Sequence, residues 1–256
     1  MTERRHHHRA VNGSGTTVSF LDVRRRFDFR AIEIGRWVTE AERERAAGLF
    51  YGALCDLMAV LQGPETLISL RGSLALKYGT GGQPGVAAHY APATRTFALA
   101  KNAGPGSIAH EWFHAFDHYI CDKSFRDTGP GVFGSRAWLD EARPVVHPLN
   151  QLLGNCYKAV LVNAAGSEPS ELFRHSARQD EKLGVLYYSR PEELCARAFE
   201  AFVQDAGPGN AFLVSGSRQS DEARLGLYPG GDQRRRIRQA FGAYFSGLGR
   251  ALAASA

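Results

Sequence analysis

The sequence predicts an α+β domain in which a small twisted sheet packs on a central helix and a helical C-terminal half closes over it. Three observations carry this reading. Apolar residues recur at helical spacing in long stretches near both ends, and the period switches to short runs between about residues 67 and 100. A capped helix rich in histidine and aromatics then follows those runs directly. At 256 residues, 44% hydrophobic and 22% charged, the chain is long enough to bury a core without help from disulfides or metals.

Taken in order, residues 1–18 are polar, aperiodic and rich in Gly, Ser, Arg and His, the composition of a mobile basic tail that includes His6–His8. A single domain is expected over 19–256. FDFRAIEIGRWV reads as a strand or turn entry, with Phe27, Phe29, Ile32, Ile34 and Trp37 in the core. Thr39 with Glu42 is a capping box opening a helix, whose apolar stripe runs from Ala46 to Leu61 and stops at Gly63-Pro64. Leu67–Tyr78 reads as a strand, and 85–90 with 95–100 as a hairpin. Ser107 is the expected N-cap of a helix through SIAHEWFHAFDHYICD. Residues 124–165 give no clear period. Helices follow over about 169–181, from a Ser189–Glu192 capping box to about Gln204, and over about 232–252.

Charge and cysteine content narrow the function classes. The net charge of +5 comes from arginine, since only five of the 31 basic residues are lysines. Clusters at Arg4–Arg9, Arg24–Arg26 and Arg234–Arg236 with Arg238 could meet nucleic acid, but the surplus is small and no zinc-finger or RNA-binding pattern accompanies it. Solvated helix faces are the favoured reading. The glycines at 79, 81, 82 and 85 do not form a phosphate-binding loop. No apolar run reaches the roughly 18 residues a membrane span needs, so no membrane partner is expected. Cys55, Cys121, Cys156 and Cys195 lack CxxC spacing, and with no secretory signal this points to the reducing cytoplasm.

His110-Glu111-Trp112-Phe113-His114 is an HExxH motif. Four residues are slightly more than one helical turn, so both imidazoles leave one face, at a spacing that suits two corners of a tetrahedral zinc site. Composition alone would yield such a pentapeptide only ~0.02 times in a chain like this. Glu111, one residue on, can reach a water at the metal without ligating, which is the place of a general base. A catalytic zinc commonly takes three protein ligands. Asp117 and Ile120 occupy the positions where a Gly and a His or Asp would continue a metzincin motif, so that class is excluded. His118 lies too far along the axis from His110 to share the ion, and His175 and Glu171 fit a solvated helix face. The helix after Ser189 offers Glu193, with the small Ala196 one turn later to permit close approach; Glu200 is the reserve choice. Asp117 could orient a ligand imidazole or simply be a surface acid. Tyr188 or its neighbour Tyr187, just before the ligand helix, could stabilise an oxyanion or serve only in packing.

HExxH followed by ExxAxAF resembles the gluzincin-type metallopeptidases, including the lethal-factor-like peptidases, in which the first Glu of the second motif is the third zinc ligand. The blocks FDFRAIEIGRWVT, GGQPGVAAHYAPATRTFALAKNAGPGSIAHEWFHAFDHY, YYSRPEELCARAFEAFVQD and LGLYPGGDQRRRIRQAFGAYF look like the CLCA_X family. That family is similar to large-polyvalent-protein-associated domains of bacteria and their mobile elements. The resemblance spans most of residues 27–248. It implies a zincin-like fold with Zn²⁺ on His110, His114 and Glu193, and hydrolysis of a peptide or protein substrate with Glu111 as general base and Tyr188 near the oxyanion. The 79-residue step from His114 to Glu193 is longer than in many gluzincins. The rival reading is a catalytically silent interaction module that meets nucleic acid through its arginines; an intact Glu111 argues against it. Nothing in the sequence indicates oligomeric state.

Overall fold

The computed structural model describes residues 17–80, 88–101 and 106–254, so the expected tail lies almost wholly outside the described residues. Helix α1 (Phe20–Phe27) precedes the first expected element, opened by a reciprocal box in which Ser19 and Asp22 cap each other. Strand β1 (Ala31–Ile34) follows. Phe27 and Phe29 are buried as expected, but Trp37 stands 59% exposed beyond the strand's end and is not a core residue. The Thr39–Glu42 box opens α2 (Glu40–Leu61), whose buried stripe runs from Ala46 to Leu61.

The expected strand over 67–78 is mostly not one. Helix α3 (Glu65–Ile68) comes first, and Leu70, Arg71 and Gly72 then sit in succession at positive φ, which no extended strand accommodates. Only β2 (Ala75–Tyr78) is paired. The hairpin forms from β3 (Ala88–Ala91) and β4 (Thr96–Leu99) around a 3₁₀ turn at Pro92–Thr94. The sheet order is β1-β2-β4-β3, parallel across the first two pairs and antiparallel at the β3 edge.

Helix α4 (Ser107–Ser124) carries HExxH. Its N-cap is Gly106, not Ser107: φ is +100°, and a Cβ there would lie 2.5 Å from the Ser215 hydroxyl. The stretch without a clear period contains α5 (Gly134–Leu139) and α6 (Pro148–Leu161). Then come α7 (Glu171–Leu183), α8 (Pro191–Asp205), the short α9 (Asp221–Arg224) and α10 (Gly231–Ala253). The expected Ser189–Glu192 box is absent. Arg190 is the N-cap without a side-chain bond, and Ser189 turns instead to Asp180 on α7.

Aromatic packing fixes α8 against α4. Phe199 stacks on Phe113 at 4.9 Å and on Trp112 at 5.5 Å, with Phe241 and Phe245 of α10 closing the cluster. The Trp112 indole donates to the Ile68 carbonyl at 2.9 Å, so this large ring is buried without an orphaned N–H. Each of these side chains contributes about 1.5–3 kcal/mol by burial, so the packing of α8 on α4 is strongly favoured. Ala196 and Ala198 are fully buried, and their small side chains let the backbones approach. Among the described residues no helix is long and apolar enough to cross a membrane, and all four cysteines are unpaired.

Candidate metal centre

Two helices build the site. From α4, successive turns present His110 and His114, whose Nε2 atoms lie 3.0 Å apart. From the first turns of α8, Glu193 reaches both: Oε2 is 3.3 Å from His110 Nε2, and Oε1 is 3.3 Å from His114 Nε2. These ligand atoms fall within 4.8 Å of one another, and the group could hold a metal ion. Two imidazole nitrogens and the two oxygens of one carboxylate thus converge on one point.

Glu193 and Glu200 are not alternatives. They lie two turns apart on α8, and the His110 ring stands between them, Nε2 toward Glu193 and Nδ1 toward Glu200 at 2.6 Å. The Tyr228 hydroxyl donates to the other oxygen of Glu200 at 3.0 Å. This chain fixes the ring's orientation, with Nδ1 toward Glu200 and Nε2 facing the centre. Burial works against a charge on His110, but Glu200 and Glu193 outweigh it and push its pKa up to about 10. Burial likewise opposes the Glu193 carboxylate, and bonds from His110 and His114 still hold it far below the usual range.

Glu111 is 8% exposed and buried beside the cluster; burial pushes its carboxyl up, against the pull of His110 and His114. A carboxyl that binds a proton more readily than in water is suited to proton transfer near neutral pH.

The remaining expected residues sort themselves by environment. Asp117 neither orients an imidazole nor lies at the surface. It is fully buried, accepting from the Ser135 N–H at 3.0 Å, the Ser135 hydroxyl at 2.5 Å and the Tyr157 hydroxyl at 2.7 Å. His114 Nδ1 has no hydrogen-bond partner. Of the tyrosine pair, Tyr187 is the phenol that senses the site: burial first, then the charge of Glu193, raises its pKa. Tyr188, expected near an oxyanion, instead packs its ring on the Arg197 guanidinium and gives its carbonyl to the same group. His118 bonds Tyr90 on β3 at 2.7 Å, consistent with a boundary histidine.

Sequence reasoning missed Tyr228, Arg197 and Asp180. Arg197, 6% exposed, lies 3.9 Å from Glu193 one turn along α8. Asp180 gathers the Tyr187, Tyr188 and Ser189 N–H groups at 2.8–3.1 Å and so pins the segment leading into the ligand helix. Only the LYPGG turn just before α10 could have signalled Tyr228, and nothing in it indicates a reach back to α8.

Comparison with known proteins adds one result. No curated protein and no solved structure matches the chain. Residues 179–252 match the family model described as large polyvalent protein-associated domain 1, a span that holds Glu193, Glu200 and Tyr228 but not the HExxH helix.

Proposed function

We propose that the protein is a zinc-dependent peptidase of gluzincin type, with His110, His114 and Glu193 as ligands and Glu111 as general base. The observation that carries this reading is the spacing of the ligand atoms. Bonds of about 2.0–2.1 Å to a tetrahedral ion place neighbouring ligands ~3.3 Å apart. Here the two Nε2 atoms are 3.0 Å apart, each is 3.3 Å from one of the two Glu193 oxygens, and one ligand atom from each residue lies within 4.8 Å of the others. Two imidazoles and a carboxylate are also a donor set that suits zinc and is met in catalytic sites.

When bound, the ion supplies Lewis acidity, lowering the pKa of a water toward about 7 and polarising a carbonyl. The chain's own residues do the rest. Glu111 accepts the proton of the attacking water and hands it to the leaving amine. Glu200 and Tyr228 hold the His110 ring in register. The Tyr187 phenol, whose pKa burial and Glu193 raise, is a candidate donor to a developing oxyanion. Strand β3 is one of the sheet's two edges, the one packed beside α4, where an extended peptide can add as a further strand.

The test is zinc content together with turnover of a peptide library. Wild type should bind one zinc per chain and cleave. Glu111→Gln should keep the zinc and lose roughly 10²–10⁴-fold in rate, the usual worth of general acid–base catalysis. Equal turnover by both proteins would remove Glu111 from the mechanism, and a zinc-loaded wild type that cleaves nothing would favour the silent module.

A further inference from the structure

The arginines near the start of α10 include exposed ones, as the sequence suggests, yet they also share a concavity. Arg218, Arg234, Arg235 and Arg238 line one cavity of about 380 Å³, together with Asp205 and Tyr228. Asp205 is the only acid among the lining residues, and it is already spent. Its side chain is 8% exposed, and both oxygens are taken by Arg234 at 2.8 Å while Arg218 adds a bond at 2.6 Å. Two guanidiniums therefore neutralise one carboxylate. Arg235 contacts Asp232 in a pair that is over 70% exposed on both sides, where an ion pair is worth little, and no ion pair of Arg238 is found among the described residues. The lining therefore carries four guanidiniums against one buried carboxylate, with only the exposed Asp232 beside Arg235 to offset the rest.

The geometry points to a binding site for a phosphate-bearing small molecule, with Arg235 and Arg238 as its anion contacts and the Arg234–Asp205–Arg218 cluster as its rigid wall. Guanidinium groups match phosphate oxygens in a forked geometry that a point charge does not offer. The volume is that of a small-ligand pocket, and the arginines converge in a concavity where a nucleic-acid groove would string them out. Tyr228 is the single aromatic among the lining residues, so the cavity offers no run of rings on which successive bases could stack. The site is independent of the proposed peptidase chemistry, although Tyr228 places it one residue from the Glu200–His110 pair.

Calorimetric titration of the full chain with inorganic phosphate, against sodium chloride of equal ionic strength, tests this directly. Phosphate should bind and chloride should not. The double variant Arg235→Ala/Arg238→Ala should weaken phosphate roughly tenfold or more, losing two charge-assisted contacts. Arg36→Ala/Arg43→Ala, an equal loss of charge at exposed positions on other elements, should leave it within about twofold. Both pairs are exposed, so circular dichroism should show the native fold throughout. Three results would overturn the assignment. One is the absence of binding at millimolar phosphate. Another is an equal loss in both double variants or in neither, which would mean screening alone or an anion bound elsewhere. The third is a duplex DNA that binds through Arg235 and Arg238 and is displaced by salt but not by phosphate.

Discussion

Helix α4 carries two buried polar clusters, one turn apart, that are built on opposite principles. Asp117 is saturated: three donors from Ser135 and Tyr157 converge on one acceptor group, and the cluster is complete without any ligand. The His110–His114–Glu193 cluster is the reverse, two imidazoles and a carboxylate converging with His114 Nδ1 and Glu193 Oε2 left without hydrogen bonds. Buried polar groups are nearly always paired, so the saturated cluster reads as architecture and the open one as a place for a cation. Gly134 shows how tightly the former is closed, since a Cβ there would sit 2.4 Å from the Tyr157 hydroxyl and 3.1 Å from Asp117.

The comparison breaks hardest at the ligands. His110→Ala or His114→Ala should abolish zinc binding, because two remaining ligands cannot hold the ion against a chelator. Full zinc occupancy in either variant, measured on the purified protein, would sink the assignment. Glu193→Ala should also weaken zinc by orders of magnitude while the fold survives, since the aromatic packing of α8 on α4 does not involve it.

Glu200→Ala sharpens the distinction within the open cluster. It removes the partner of His110 Nδ1 but no ligand atom, so chelator competition should show a loss of about 10–100-fold. If Glu200→Ala loses metal entirely and Glu193→Ala keeps it, the roles of the two carboxylates are exchanged.

How much of this was legible depends on how local each signal is. The HExxH face follows from helical periodicity, and so does the shared face of Glu193 and Glu200; the preference for Glu193 rests on the small Ala196 and on the family resemblance. Glu200 appeared only as a competitor to Glu193, because nothing local says that one imidazole can stand between carboxylates two turns apart. Ser189 looked like a cap since its local context is a capping box; Asp180, nine residues back, outbid the helix for its hydroxyl and N–H. Trp37 has the composition of a core residue and no partner to bury it. Tyr157 and Ser135 fell in the stretch without a period, so the partners that bury Asp117 were invisible.

On the saturated side, Asp117→Ala should cost stability while sparing the metal. It leaves the Ser135 and Tyr157 donors without their acceptor inside the core, a loss of roughly 2–4 kcal/mol by urea unfolding. Zinc affinity should stay within about threefold, because Asp117 makes no hydrogen bond to either imidazole. A large drop in zinc affinity in a folded Asp117→Ala protein would instead join the two clusters into one.

The smallest effect is the most discriminating, because its sign reports which force dominates around Asp117. Burial raises its pKa from 3.8 to about 6, while the bonds from Ser135 and Tyr157 pull it down without prevailing. Between those values the folded chain holds a proton that the unfolded chain has released, so this group's contribution to stability is full below about pH 3.8 and is lost as pH rises through about 6. Asp117→Asn cannot titrate and keeps nearly the same shape. The stability of wild type relative to Asp117→Asn should therefore fall as pH rises from 4 to 6.5, by an amount on the order of 1–3 kcal/mol, and level off above that. Urea unfolding at four or five pH values across the window measures it. A difference that grows with pH would show that the three donors win over burial, and the carboxylate would then stabilise the fold as an anion; a flat difference would mean that Asp117 does not titrate in this range.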